Sequence, residues 1–171
     1  VMEYLRGKTL GKLLRERQRL SVEETVNIIS QVCEGLRHAQ QGVTVWRDRG
    51  TRSEFIQVVH RDLKPDKIFV VSTDKGDLIK ILDFGIAKVR SDSFEQTNLT
   101  QTTAFLGTVR YSSPEQLRGN KEIDGRADIY SLGIIIFLML TGYDPLDLVR
   151  NSELATNLPG YKLIYPTLHY H

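Results

Sequence analysis

A chain of 171 residues has room for one ordinary domain with one core, and not for two. Hydrophobic residues at 40% and charged residues at 26% lie near the averages for soluble globular proteins, which excludes a disordered chain or a coiled coil. The formal net charge is only +2, with acidic side chains such as Glu16 set among the basic ones, so no field suited to nucleic acid is expected.

Residues 1–5 form a short apolar segment broken by Arg6-Gly7, after which Leu10, Leu13 and Leu14 recur at helical spacing up to a basic stretch ending at Arg19. The expected elements are a strand end, a turn and a short helix. Ser21 followed by Glu24 has the form of a capping box, and Val22, Val26, Ile29, Val32, Cys33, Leu36 and Ala39 continue as a stripe, predicting a helix over residues 21–40. The single cysteine excludes a disulfide within the chain, and its place on that stripe predicts a buried thiol filling the core rather than a redox switch or a metal ligand.

From 41 to 57 no period survives among Gly42, Arg47, Asp48, Arg49, Gly50 and Arg52, and an exposed loop with a solvated charge cluster is expected. Residues 68–72 and 78–82 are short apolar or β-branched runs separated by a turn-rich connector, which predicts two paired strands. Residues 91–103 are polar and read as a mobile loop, whereas 129–140 are apolar almost all round and predict a buried helix. The longest apolar run, 134–140, is far short of a membrane span. Beyond Gly142 the signals fade, with Pro145, Pro159, Gly160 and Pro166 interrupting every candidate element, so residues 146–171 are expected to be an irregular tail. His38, His169 and His171 have no partners at useful spacing and read as surface histidines.

The chemistry concentrates around the predicted strand pair. His60-Arg61-Asp62-Leu63-Lys64-Pro65-Asp66-Lys67 precedes it and Asp83-Phe84-Gly85 follows it. Because a hairpin brings its ends together, Asp62 and Asp83 would face a common cleft although 83 − 62 = 21 positions separate them. Phosphoryl transfer needs such a pair: one carboxylate to orient the attacking hydroxyl and accept its proton, another to hold a divalent ion on the nucleotide phosphates.

These two strings in this order resemble the catalytic loop and the Asp-Phe-Gly of protein kinases. Residues 107–116, Gly-Thr-Val-Arg-Tyr-Ser-Ser-Pro-Glu-Gln, resemble the segment that closes a kinase activation loop, with Ser113 where Ala is commoner, and their form is similar to that of bacterial Ser/Thr kinases. Residues 128–133 and 140–142 resemble the start and end of the large buried helix, and 1–5 resemble the hinge. The resemblance covers residues 1–145. It implies an α+β, protein-kinase-like fold consisting of the mainly α-helical C-terminal lobe with short β-hairpins, the small lobe being absent. It further implies a chain cut at both ends, as a first residue other than Met also suggests, with its Gly-rich loop, strand-borne Lys and last helices elsewhere.

The resemblance assigns roles residue by residue. Asp62 would be the catalytic base, Lys64 would reach the transferred phosphate, and Thr108 would bond to both in a way that favours Ser or Thr substrates. Backbone groups of Glu3 and Leu5 would hold the adenine of ATP, with Phe69 beneath the ring, and Asp83 would hold Mg²⁺. Arg61 would pair with a phosphate on the loop, for which Thr100, Thr102 and Thr103 are the candidate acceptors. His60 and Phe84 would stack, and Asp128 would hold the catalytic-loop backbone. The implied partners are ATP and a protein bearing Ser or Thr, with no nucleic acid and no membrane contact from this segment; a cytoplasmic location follows, with membrane anchoring of the parent protein and the oligomeric state left open.

One position departs from the family's pattern: Lys67 stands where Asn would help hold a second Mg²⁺. An ammonium about 4 Å from a divalent ion is repelled, by on the order of several kcal/mol in a partly buried cleft. Lys67 therefore abolishes metal binding, swings outward, or replaces one metal's charge with its own. The rival readings are accordingly a pseudokinase acting as an interaction module, or a remnant without function, and the isolated 171-residue chain is expected to lack kinase activity.

Overall fold

The computed structural model describes residues 6–47, 52–84, 110–120 and 122–150. The first element is a two-residue strand, β1 (Lys8–Thr9), which runs straight into α1 (Leu10–Arg17) with the Thr9 side chain accepting from the Lys12 N–H as its cap. The predicted long helix is α2 (Val22–Gln40), and its capping box is present: Ser21 Oγ accepts from the Glu24 N–H at 3.1 Å, while the Glu24 carboxylate accepts from the Ser21 N–H at 3.0 Å. The predicted strand pair is β4 (Ile68–Thr73) and β5 (Gly76–Ile81), antiparallel, with Ile68 opposite Ile81 and Thr73 opposite Gly76. The strand β1 pairs with β4 on its other side, giving a three-stranded sheet in the order β1-β4-β5.

The free edge of β5 is met by α2. Gln31 on that helix donates from Nε2 to the Asp77 carbonyl at 2.9 Å and accepts from the Ile79 N–H at 3.0 Å, so one amide satisfies edge groups that would otherwise need water. The other long helix is α4 (Arg126–Thr141), which follows the single-turn α3 (Pro114–Leu117) and ends at Gly142 in the left-handed conformation. Buried side chains from α1, α2 and α4 meet in one core, which includes Leu10, Leu14, Ile28, Val32, Leu36, Ile135 and Met139 and reaches the site through Leu63 and Ile68.

Several expectations are corrected. Residues 41–57 are not a plain loop: β2 (Val43–Arg47) and β3 (Arg52–Ile56) form an antiparallel hairpin with Val43 opposite Ile56 and Arg47 opposite Arg52. The run Val43-Thr44-Val45-Trp46 carries the β-branched and aromatic residues of a strand, and the arginines around it obscured that signal. Cys33 is exposed, not buried, and so are Val22 and Val26 at 68% and 60%. The buried line of α2 is Thr25, Ile28, Val32 and Leu36, so Val32 and Leu36 of the predicted stripe are inside while Thr25 and Ile28 replace Val22, Val26 and Cys33, because the core and β5 lie on that side. On α4 the inward face is Ala127, Asp128, Ser131, Leu132, Ile135 and Met139, while Ile129 and Leu140 are exposed, so the helix is not buried all round among the described residues. The expected irregular stretch after 145 begins with a six-residue helix, α5 (Pro145–Arg150), tied back by Arg110 to Asp144 and Asp147 at 2.9 Å. Residues 1–5 and 91–103, His169 and His171 lie outside the described residues.

One buried carboxylate joins this core to the loop before β4. Asp128, 1% exposed in the first turn of α4, accepts from the His60 N–H through Oδ2 and from the Arg61 N–H through Oδ1, both at 2.9 Å. Replacing it by Ala leaves two buried donors unmatched, and Asp128→Ala should lower unfolding stability by about 3 kcal/mol, measured by urea denaturation of the purified protein. In the same assay Val32→Ala should cost about 2 kcal/mol, whereas Cys33→Ala next to it should stay within about 0.5 kcal/mol; equal losses at the two positions would contradict the placement of the core face.

Candidate functional site

The site is built on the open end of the β4–β5 hairpin, opposite its turn. After Arg61 the chain passes Asp62 and Lys64 and makes a short 3-10 turn, Pro65–Lys67, that leads directly into β4. Just after the return strand β5, the Leu82 N–H donates to the Lys67 carbonyl at 2.8 Å, one rung beyond the Ile68–Ile81 pair. Asp83 therefore follows at the same end of the hairpin as the 62–67 loop, as the spacing predicts.

Three contacts fix that loop. Asp128 holds the backbone at 60 and 61 from below. The His60 ring, fully buried, lies with Nε2 3.1 Å from the Leu82 carbonyl oxygen and packs tilted against Phe84 at 5.0 Å between ring centres. From the side, Gln116 donates from Nε2 to the Arg61 carbonyl at 2.7 Å while its Oε1 accepts from the Ser113 N–H at 3.0 Å and from the Ser113 hydroxyl at 3.2 Å. So constrained, Arg61 and Asp83 both take left-handed backbone angles, φ 61° and 49°, unusual for residues other than Gly.

The side chains fall as follows. Lys64 Nζ lies 3.7 Å from Asp62 Oδ2, both side chains about one-fifth exposed, while Asp62 Oδ1 is buried with no hydrogen-bond partner among the described residues. Lys67 Nζ donates to Asp83 Oδ2 at 2.7 Å, and that ammonium holds the Asp83 carboxyl below the usual carboxylate range. Burial pushes the Asp128 carboxyl up, offset in part by the two N–H groups it accepts from. Arg61 donates from Nη2 to the Ile123 carbonyl at 3.4 Å and keeps a buried Nε with no partner among the described residues. Phe69 is half-buried on β4, paired in register with Thr9; a Cβ on Gly7 would collide with the Val70 carbonyl and the Phe69 ring, so the chain entering β1 lies flat against that strand. On the far side of the loop a Cβ on Gly11 would collide with the Asp66 carboxylate, which lets α1 pack directly on the 3-10 turn.

Asp62, Lys64, Lys67, Phe69 and Asp83 are thus brought to one end of the β4–β5 hairpin and its sheet. Glu3, Leu5, Thr108 and the candidate phosphate acceptors Thr100, Thr102 and Thr103 lie outside the described residues. Sequence reasoning missed Gln116 and Ser113 as supports of the loop, Ser131, whose hydroxyl donates to the Tyr111 carbonyl at 2.7 Å, and the Arg110 pairing. Only the Ser-x-x-Gln spacing, a capping-box form, signalled any of these in advance.

As to the metal the resemblance implies, an ionised carboxylate with a 79% exposed side chain, Asp83, is a hard oxygen ligand suited to one divalent ion. A set for two ions is not there: Lys67 presents an ammonium instead of an oxygen, and no cluster of three or more His, Cys, Asp or Glu occurs among the described residues. No helix among the described residues is long and apolar enough to cross a membrane.

Comparison with known proteins agrees with this geometry. The protein kinase domain family matches residues 1–165. The chain is 44% identical over 147 residues to Serine/threonine-protein kinase A of Synechocystis sp., covering 85% of this chain and 26% of that protein. It is 39% identical over 147 residues to Serine/threonine-protein kinase PrkC of Bacillus subtilis, covering 86% and 19%, and 34% identical over 145 residues to Serine/threonine-protein kinase PknB of Mycobacterium tuberculosis, covering 85% and 20%. The chain thus spans about a quarter or less of the length of these relatives, and within that span, with the catalytic-loop and Asp-Phe-Gly strings joined by one hairpin, it belongs to the protein kinase family.

Proposed function

We propose that these residues are the larger, C-terminal lobe of a serine/threonine protein kinase that transfers the terminal phosphoryl group of ATP to a hydroxyl of a protein substrate. The observation that carries this reading is the hairpin closure that puts Asp83 beside the Asp62 loop, together with the clamping of that loop by Asp128 and Gln116.

Asp62 is the group that takes the proton of the attacking hydroxyl. Its Oδ2 faces the Lys64 ammonium, which orients the carboxylate, and its buried Oδ1 accepts no hydrogen bond among the described residues, which leaves acceptor capacity for a proton. Lys64, so close to the base, is placed to offset negative charge on the phosphoryl group as it passes to the acceptor oxygen. A divalent ion on Asp83, Mg²⁺ by family, would supply charge neutralisation at the nucleotide phosphates. Phe69, facing the chain that enters β1, is the apolar platform for the adenine, with backbone groups of Glu3 and Leu5 as the hydrogen-bonding edge. Thr108 and the loop threonines complete the proposal as the determinant of Ser/Thr preference and as the acceptors whose phosphate Arg61 would bind; the unpartnered Arg61 Nε supports that role.

The test is phosphate transfer from labelled ATP to a generic protein by the gene product at its full length. Wild type should label Ser or Thr and not Tyr, and Asp62→Asn should reduce the rate by about 10²–10⁴-fold with the melting temperature little changed. Wild-type protein that binds nucleotide and transfers nothing would replace this reading with the pseudokinase.

A further inference from the structure

Lys67 is the chain's own departure from its family, and the structure decides where its charge goes. Its backbone is pinned on both sides, the N–H donating to the Lys64 carbonyl at 2.8 Å and the carbonyl accepting from the Leu82 N–H at 2.8 Å. The side chain leaves this fixed point at the mouth of the hairpin, where Asp83 is the next residue on the opposite strand. It does not swing outward: the Lys67 side chain is only 22% exposed, against 79% for Asp83, and the ammonium rests on Asp83 Oδ2 at 2.7 Å. The two neighbouring acids are engaged elsewhere, Asp62 with Lys64 and Asp66 with Arg15.

An ammonium seated on the metal-binding carboxylate is chemically close to a small cation. It carries positive charge and offers three donors, so one N–H can hold Asp83 while others reach phosphate oxygens. It differs from a divalent ion in bringing its own charge without any ligand requirement, and it repels a second ion on the same carboxylate. Resting on the reading of this end of the hairpin as the nucleotide site, we propose that Lys67 takes the place of one of the two divalent ions, its ammonium bridging Asp83 and the nucleotide phosphates, so that this kinase binds nucleotide with a single divalent ion.

The experiment counts bound Mn²⁺ by electron paramagnetic resonance in the full-length protein saturated with a non-hydrolysable ATP analogue, with analogue binding followed separately by calorimetry. Wild type should bind one Mn²⁺ per bound nucleotide, Lys67→Asn two, and Lys67→Arg, which keeps the cation, one. Lys67→Met, which removes the charge without adding a ligand, should weaken analogue binding at least tenfold. Two Mn²⁺ on wild type, no second ion on a folded Lys67→Asn protein, or unchanged affinity in Lys67→Met would each overturn the proposal; should Lys67→Asn not fold, the wild-type count and the Met variant decide. Because the readouts are binding and stoichiometry, a protein that binds one ion yet transfers no phosphate would sink the proposed activity and leave this inference standing, whereas an active protein with two ions would do the reverse.

Discussion

The geometry of the site depends on a carboxylate that never meets solvent. Asp128 is carried into the core by the first turn of an apolar helix, where burial alone would favour its neutral form. The N–H groups of His60 and Arg61 offset that cost, and in doing so they fix two consecutive peptide planes of the loop. This end of the hairpin is hung from those planes: the left-handed turn at Arg61, the Asp62 that follows it, and the His60 ring that reaches the Leu82 carbonyl. A carboxylate suits this task better than an amide because both oxygens accept and neither needs a donor of its own.

The rest of the structure keeps Asp128 where it is. Ile135 and Met139, about two and three turns further along α4, are fully buried against the core shared with α1 and α2, so the helix cannot shift along its axis without breaking packing. The Leu20 N–H donates to the Met139 carbonyl at 2.7 Å and ties the α1–α2 connection to the same helix. On the other side α2 supports β5 through Gln31, and β5 ends at Ile81, just before Leu82 and Asp83. Two routes through the fold, one by α4 and one by α2 and β5, thus converge on the two short strings that carry the chemistry, and the strained angles at Arg61 and Asp83 persist because both ends are held.

What the sequence discloses, and what it conceals, follows from the kind of interaction involved. The α2 boundaries were legible because a capping box is a local contact between positions three apart, and the β4–β5 pair because its apolar runs and turn residues are contiguous. The apolar stripe of α2 locates Val32 and Leu36 in the core but not the rest of the face, since Val22, Val26 and Cys33 are apolar without being inside, and only the positions of β5 and α4 decide that Thr25 and Ile28 are. The 43–56 hairpin was lost among arginines and glycines that outweighed a four-residue strand signal. Gln116 to Arg61 spans 55 positions and Arg110 to Asp144 spans 34; such side-chain bonds leave no period, and only the folded chain shows them.

Lys67 shows the same division at a single residue. Its identity as a departure could be read from the motif, yet the sequence left open whether the ammonium displaces a metal, points away, or stands in for one. The register of the hairpin removes the second option: Ile68 opposite Ile81 and Lys67 bonded to Leu82 leave Asp83 as the carboxylate facing the lysine stem across the mouth. The scaffold thus fixes the backbone from which the lysine stem leaves, and the contact with Asp83 sets where the ammonium rests. The contact pairs its more exposed partner, the Asp83 carboxylate, with a charge that comes from the chain itself, and that charge holds the Asp83 carboxyl below the usual carboxylate range.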